Sequence, residues 1–222
     1  MKIVITAGPT REHLDPVRFL SNPSTGKMGF ALAAEAARRG HDVTLIAGPV
    51  ALKTPKGVKR VDVVSAREML AASRTAMKDV KCGAKDEDGS VFISTAAVAD
   101  WRPAKCAVKK LKKGEMSPTL NLVRNPDILK SLNRTIKQSS NQKIRLVGFA
   151  AETNDVLSEA ARKCREKGLS FIVANDVTKR GCGFGTDTNQ VTFVFPDGTL
   201  RKFPLMTKRR VAGRILDEVS RL

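Results

Sequence analysis

The chain has 222 residues, 41% of them hydrophobic and 28% charged, which is the composition of a globular domain that can bury a core. Its apolar runs have the length of strands, and the first predicted strand begins at Lys2. We therefore expect no membrane-spanning helix, no signal peptide and a cytoplasmic location. The four cysteines form no C-x-x-C pair and there are only two histidines, so a zinc site or a disulfide framework is not favoured.

The net charge of +18 indicates either a basic surface, anionic substrates or a nucleic-acid partner. The basic residues are spread along the chain, aromatic residues make up only 5%, and there is no tyrosine. Side chains on which bases could stack are therefore scarce. A basic nucleic-acid-associating protein is kept as an alternative, and no specific nucleic acid is expected as a partner.

Predicted strands and helices alternate along the chain. The strands are 2–7, 42–47, 58–64, 91–97, 119–123, 144–150, 170–174, 190–195 and 199–205, and the helices are 27–39, 65–78, 154–167, 207–221 and one that begins at Asn125 and Pro126. Asn125 is predicted to cap that helix, with Pro126 at its first position. The alternation predicts an α/β fold, a Rossmann-like parallel sheet between two layers of helices, in one domain over 1–222. A mobile flap at 101–117 and a β-hairpin at 190–205 are predicted as excursions from it.

Residues 5–29, with the sequence ITAGPTREHLDPVRFLSNPSTGKMG, predict a strand, a long polar loop and the start of the 27–39 helix, which Gly26 and Gly29 flank. In an α/β sheet this is where a ligand with anionic groups binds. A nicotinamide-dependent reductase is a weakened alternative, because the second strand ends at Ala47 without the acid that holds a ribose. A Walker A loop does not fit either, because Met28 stands in place of Ser or Thr. Gly26 and Gly29 could also serve only close packing of helix on strand.

Further motifs follow in order: TAAVADWRP at 95–103, KLKK at 110–113, NPDIL at 125–129, VGFAAET at 147–153, ANDV at 174–177 and GFGTDTNQV at 183–191. With ITAGPTRE, DPVRFLSN and STGKMG, they give the chain a resemblance over its whole length to the phosphopantothenate–cysteine ligases of coenzyme A biosynthesis. It looks most similar to the bacterial, CTP-using kind, without the decarboxylase to which that ligase is often fused.

The resemblance implies a Rossmann-like homodimer that joins 4'-phosphopantothenate to L-cysteine. CTP would activate the carboxylate as an acyl-cytidylate, with Mg²⁺ on the triphosphate, and cysteine would then displace CMP. The expected partners are therefore small molecules and a second copy of the chain. No residue in the sequence reads the nucleotide base unambiguously, so the choice between CTP and ATP stays open.

The resemblance also implies three catalytic residues. Lys110 matches a lysine on a lid that stabilises the charged intermediate, although the loose spacing after Trp101 leaves Lys112 as an alternative. Asn22 matches an asparagine that binds the acyl-cytidylate and serves the second step, and Arg18 matches an arginine needed for that step. From the residues alone, three other interpretations stay open: a solvated basic loop for the lysines, as most such runs are, a turn asparagine for Asn22 and a surface ion pair for Arg18.

The remaining matches are binding residues. For the nucleotide they are Ser94, Thr95, Ala96, Asp100, Lys110, Pro126, Asp127, Ile128, Leu129, Phe149, Lys163 and Lys167, and for the acyl substrate Asn22, Gly26, Ala96, Ala97 and Asp100. Core packing would also explain the alanines and Phe149. An exposed helix face, on which Glu159 pairs with Lys163, would explain the two lysines.

Overall fold

An eight-stranded sheet forms the centre of the fold in the computed structural model, which describes residues 1–78, 89–115, 119–139, 144–152 and 155–222. The strands are β1 Lys2–Ala7, β2 Arg11–His13, β3 Phe19–Ser21, β4 Asp42–Ala47, β5 Val58–Asp62, β6 Ser90–Ser94, β7 Trp101–Pro103, β8 Leu122–Arg124, β9 Ile144–Glu152, β10 Phe171–Asp176, β11 Thr188–Asn189, β12 Val191–Val194, β13 Leu200–Lys202 and β14 Met206–Thr207. The helices are α1 Lys27–Arg38, α2 Ala66–Lys78, α3 Ile128–Gln138, α4 Val156–Lys167 and α5 Lys208–Val219, with a 3₁₀ turn at Lys113–Glu115. None of the described helices is long and apolar enough to cross a bilayer.

The strand order of the large sheet is β13-β12-β10-β9-β6-β1-β4-β5. The six strands from β10 to β5 are parallel, and β12 and β13 add an antiparallel hairpin at one edge. From β1 the chain moves outward to β4 and β5, then returns to β6 on the other side of β1. The order in which the chain adds strands therefore reverses between β1 and β6. In open α/β sheets, ligands bind beyond the carboxyl ends of the strands at such a topological switch point. The predicted Rossmann-like fold is confirmed.

Two apolar cores lie on opposite faces of this sheet. Ile3 and Ile5 of β1 face the core that contains α1 and α5, whereas Val4 between them faces the core that contains α2, α3 and α4. This alternation follows from the period of two in a strand, and it requires both faces of the central strands to be apolar. The predicted three layers, helices on both sides of a sheet, are observed.

The predicted cap of α3 was wrong. Asn125 does not cap it. The helix begins at Ile128, and Asp127 is its cap because the Asp127 carboxylate accepts a hydrogen bond of 2.9 Å from the Lys130 N–H. Asn125 instead donates its side-chain N–H to the Ala99 carbonyl at 2.8 Å. Both Asn and Asp are good caps, so local sequence could not choose between them.

The predicted flap at 101–117 begins as regular structure. Its first three residues form β7, which pairs antiparallel with β8, so that Trp101 faces Arg124. Residues 116 and 117 of the flap, Asn154 of the fourth predicted helix and Cys82 lie outside the described residues.

Replacement of Gly29 by alanine tests the closest contact between α1 and the sheet. A Cβ at Gly29 would lie 2.5 Å from both the Ala7 Cβ and the Thr95 Oγ1. Overpacking of this kind costs about 1–3 kcal/mol, which outweighs the ~0.5–1 kcal/mol by which alanine favours a helix. We expect Gly29→Ala to lower the free energy of unfolding in urea, whereas Gly114→Ala, where a Cβ meets nothing within 4 Å, should not. Equal stability of the two variants would contradict this packing.

Candidate functional site

The loops after β1 and β6 continue side by side beyond the sheet. The Thr95 N–H donates to the Thr6 carbonyl at 3.2 Å, the Ala97 N–H to the Gly8 carbonyl at 2.9 Å, and the Thr10 N–H to the Ala97 carbonyl at 3.3 Å. The Thr10 hydroxyl accepts a further bond of 3.0 Å from the Ala99 N–H. These bonds hold two segments together at the topological switch point between β1 and β6. We call the segments, residues 6–10 and 95–99, the paired loops.

A cavity of about 380 Å³ opens on one side of the paired loops. Six of the predicted site residues line it: Asn22, Gly26, Thr95, Ala96, Ala97 and Phe149. Gly26 is the N-cap of α1 with a φ of 77°, a left-handed conformation that side chains rarely adopt. The cavity therefore combines a helix N-terminus, the paired loops and the end of β9.

A second cavity of about 180 Å³ lies on the other side of the paired loops. The predicted residues that line it are Ser94, Ala96, Asp100, Pro126, Asp127, Ile128, Leu129, Phe149 and Lys167. Ala96, Val98 and Phe149 line both cavities. These three side chains, two of which follow β6 and one of which lies on β9, therefore form the wall between two neighbouring binding spaces.

Asn22 ties its own loop to this wall. Its side-chain N–H donates to the Ala97 carbonyl at 3.1 Å, and Asn125 makes the equivalent bond to the Ala99 carbonyl from the side of the small cavity. The side-chain oxygen of Asn22 is thereby oriented by a bond made at its nitrogen. Asn22 is positioned for contact with a ligand in the large cavity.

Lys27, Lys208 and Asp187 form a basic cluster at the large cavity, which the two lysines line. The Lys27 ammonium donates to the Gly185 carbonyl and to the Asp187 carboxylate, both at 2.7 Å, and Lys208 donates to the Thr186 carbonyl. Burial lowers the pKa of Lys208, and the nearby Lys27 charge lowers it further. The cluster holds the glycine-rich loop 183–187 against the first residues of α1 and α5.

Lys167 and Asp127 form an ion pair beside the small cavity, with 2.8 Å between the Lys167 Nζ and the Asp127 Oδ2. Burial acts to raise the pKa of Asp127, but the Lys130 N–H and the Lys167 ammonium together hold it below its ordinary value. The carboxylate thus carries two roles, since it also caps α3. Lys167 is fixed at the end of α4 by this pair.

Three predicted residues are not brought to either cavity. The Arg18 guanidinium donates to the Asp15 carboxylate and, at 2.9 Å, to the Leu111 carbonyl. Lys110 lies exposed in the adjoining loop, and Lys163 is half-buried on α4. Neither lysine is among the described residues that line the two cavities.

Sequence reasoning missed other residues of the large cavity. They include Ser24, Thr25, Lys27, Asn175, Cys182, Phe184, Asn189 and Lys208. The motifs ANDV and GFGTDTNQV were the signal for several of them, because both motifs line this cavity. Lys208 carried no signal, because only the fold brings the start of α5 to the end of β1.

The described residues contain no group of three or more His, Cys, Asp or Glu side chains that could hold a metal ion. Asp100 and Asp127 are the carboxylates of the small cavity, and Asp127 is already paired. A metal ion here would therefore depend on the ligand for most of its oxygen ligands, as Mg²⁺ commonly does with nucleotide phosphates.

The fold and the two cavities define a Rossmann-like α/β protein with a two-compartment site at the topological switch point of its sheet. The chain belongs to the family described as the DNA/pantothenate metabolism flavoprotein C-terminal domain, whose model matches residues 1–222. It is similar to the coenzyme A biosynthesis bifunctional protein CoaBC of Bacillus subtilis (strain 168), at 47% identity over 221 residues, which are 99% of this chain and 51% of that protein.

The CoaBC of Vibrio vulnificus (strain YJ016) is 46% identical over 222 residues, which are 99% of this chain and 52% of that protein. The chain thus spans about half the length of the curated relatives it matches. Among solved structures, the C-terminal domain of a CoaBC superposes with a TM-score of 0.78 at 41% identity, covering 99% of this chain and 94% of that one. A Cab2 mutant in complex with phosphopantothenate-cysteine has the same fold, with a TM-score of 0.78 at 17% identity, covering 99% of this chain and 86% of that one.

Replacement of Asp127 by asparagine separates its cap from its ion pair. Asparagine caps as well as aspartate, so the expected loss of stability at pH 7 is the ion pair alone, about 0.5–1 kcal/mol at this partly exposed site. The pKa of Asp127 is lowered on folding, so its contribution is complete above the ordinary value of 3.8 and is lost as the pH falls below it. Urea unfolding should therefore show a difference between wild type and Asp127→Asn that is largest at neutral pH and shrinks below pH 3.8.

Lys167→Met is the matched variant, because it removes the other half of the same pair. It should abolish the effect of Asp127→Asn at pH 7. If the difference in unfolding free energy between wild type and Asp127→Asn grows as the pH falls, the ion pair is contradicted.

Proposed function

We propose that the chain is a ligase of coenzyme A biosynthesis that joins 4'-phosphopantothenate to L-cysteine with CTP. The observation that carries the proposal is the pair of cavities that share Ala96, Val98 and Phe149. A reaction between a nucleotide and an acyl substrate needs two binding spaces that meet at the reacting atoms. The family membership and the similarity to the CoaBC proteins support the same reaction.

In this proposal the small cavity takes the nucleotide. Its volume of about 180 Å³ can hold one nucleotide base, and we propose CTP rather than ATP because the chain resembles the CTP-using ligases. Lys167 supplies a positive charge there, and the N-terminus of α3 presents backbone N–H groups. The large cavity takes phosphopantothenate, with the basic cluster as a counter-charge to its phosphate and with Asn22 near its carboxylate.

The first step is an attack of the substrate carboxylate on the α-phosphorus of CTP. A carboxylate oxygen forms the new bond to phosphorus, the bond from phosphorus to the β-phosphate bridging oxygen breaks, and pyrophosphate leaves with that electron pair. The carboxylate is already a nucleophile, so no general base is needed. The obstacle is repulsion between two anions, which directed N–H donors and lysines reduce.

The second step is an attack of the cysteine amine on the acyl carbon of the acyl-cytidylate. The new C–N bond replaces the bond from carbon to the phosphate oxygen, CMP leaves with that electron pair, and the nitrogen releases a proton to solvent. In this proposal the Asn22 amide hydrogen-bonds the acyl oxygen or the attacking amine. Its bond to the Ala97 carbonyl keeps the amide oriented during the reaction.

Mg²⁺ is part of the proposal. When bound with the triphosphate, it would neutralise charge on the phosphates. Asp100, on the rim of the small cavity, is the carboxylate that could contact the ion or its waters. The protein contributes little else to hold it, since Asp127 is engaged by Lys167.

A homodimer is proposed as the acting form. Leu200 on the edge strand β13 and Leu205 just after it are 44% and 52% exposed. Strand β13 pairs with β12 on one side and is the last strand of the described sheet, so its outer side is open. Such an edge next to exposed leucines favours association with another copy.

The decisive experiment supplies phosphopantothenate, cysteine and Mg²⁺ with either CTP or ATP, and measures release of pyrophosphate and formation of phosphopantothenoylcysteine. We expect both products with CTP, and slower release with ATP. No pyrophosphate with either nucleotide would refute the proposal.

Asn22→Asp should separate the two steps. It places a negative charge where negative charge develops on the acyl oxygen, so amide formation should fall by about 100-fold while pyrophosphate still forms. Asn121→Asp, at an exposed asparagine that lines neither cavity, is the control. Normal product formation by Asn22→Asp would exclude this role.

Single replacements in KLKK should show which lysine serves the first step. We expect Lys110→Ala to slow pyrophosphate release by about 100-fold, the usual loss for one charge-stabilising group. Lys112→Ala should have little effect, as should Lys109→Ala just before the motif. If Lys112→Ala slows pyrophosphate release more than Lys110→Ala does, Lys112 is the residue that serves the first step.

A further inference from the structure

Asp15 is a fully buried carboxylate to which no role in the site has so far been given. It lies in the loop between β2 and β3, where it accepts hydrogen bonds from the Val17 N–H at 2.8 Å and the Arg18 N–H at 2.9 Å. The Arg18 side chain adds two more bonds, from Nε at 3.0 Å and from Nη2. These donors, the Arg18 side chain above all, hold the pKa of Asp15 far below its ordinary value although burial opposes this.

A further donor comes from a distant part of the chain. The Leu111 N–H donates to the Asp15 Oδ2 at 3.2 Å, and the Arg18 Nη2 donates to the Leu111 carbonyl at 2.9 Å. Both backbone polar groups of Leu111 are therefore held by the same carboxylate and guanidinium. A second tie lies close by, from the Ala107 N–H to the Leu14 carbonyl at 2.8 Å.

Leu111 lies inside KLKK, between Lys110 and Lys112. The side chains of both lysines are exposed, whereas Leu111 is half-buried. The clamp, by which we mean the bonds of Asp15 and Arg18 to Leu111, thus fixes the backbone at the centre of the lysine run, from which the two exposed lysine side chains extend. Chain entropy would otherwise spread these charges over many positions, and a charge that is held in place stabilises a transition state better.

We propose that Asp15 is a positioning residue that acts through Arg18 and Leu111 to hold the lysine run for the first step of the reaction. This inference rests on the proposed ligase function. It also gives Arg18 a different task from the one its resemblance implies. Arg18 binds the loop that carries the lysines, so its loss should slow pyrophosphate release as well as amide formation.

Asp15→Asn tests the clamp directly, because it keeps the side-chain shape and removes the charge. The first measurement is hydrogen–deuterium exchange in a peptide that contains Leu111. We expect exchange there to become at least about tenfold faster, because the amide loses its charged acceptor. The control is Asp217→Asn, at a carboxylate that also pairs with an arginine, Arg39 at 2.8 Å, on a remote face of the protein.

The second measurement is steady-state pyrophosphate release. We expect the kcat of Asp15→Asn to fall about tenfold or more, with the KM for CTP and phosphopantothenate changed by less than about threefold, because positioning acts on the reacting complex. A general loss of folding would instead reduce the amount of active protein and lower the unfolding midpoint. If Asp15→Asn does not fold, Arg18→Gln serves in its place, since it removes the bond to the Leu111 carbonyl from a side chain that is 36% exposed.

Unchanged exchange at Leu111 in both variants would overturn the clamp. Faster exchange with an unchanged kcat would overturn the positioning role. If the wild-type protein releases no pyrophosphate with either nucleotide, the ligase proposal fails separately, and the exchange measurement still decides whether Asp15 holds the lysine run.

Discussion

The site depends on backbone hydrogen bonds between the two paired loops, residues 6–10 and 95–99. Backbone N–H and C=O groups that leave a sheet need new partners, and here each loop supplies them to the other. Because Ala97 bonds both to Gly8 and to Thr10, the loops extend the β1–β6 pairing past the sheet. This forms the wall between the cavities and fixes the carbonyl to which Asn22 binds.

Small residues make that arrangement possible. A Cβ on Gly48 would lie 1.8 Å from the Pro9 carbonyl oxygen, and one on Gly8 would lie 2.9 Å from a Val50 methyl group. The chain can therefore approach itself closely at the ends of β1 and β4. The acidic residue Glu12 in the same region is structural, because its carboxylate accepts the Ala66 N–H at 2.9 Å at the start of α2. Close packing and helix capping thus account for residues that a motif alone would assign to a ligand.

Each cavity is lined by at least one lysine of its own, and an aspartate pairs with one lysine of each cavity. Lys27 and Lys208 face the large cavity, Lys167 faces the small one, and Asp187 and Asp127 each offset one of these charges. Lys110 and Lys112 are exposed and line neither cavity, and the backbone of the leucine between them is held by Asp15 and Arg18. This arrangement suits chemistry in which positive charge must be supplied near two anions without permanently filling their binding spaces.

The sequence by itself determined the αβα layers, the order of the elements and most of the residues that line the small cavity, because apolar periodicity and local motifs act over short distances. Tertiary structure decided what depends on distant partners. It chose Asp127 over Asn125 as the cap of α3, since Asn125 is used by the Ala99 carbonyl. It brought Lys208 to the glycine-rich loop, and it joined Leu111 to Asp15 across 96 positions of the chain. No local pattern encodes such contacts, because they exist only once the sheet has set the loops side by side.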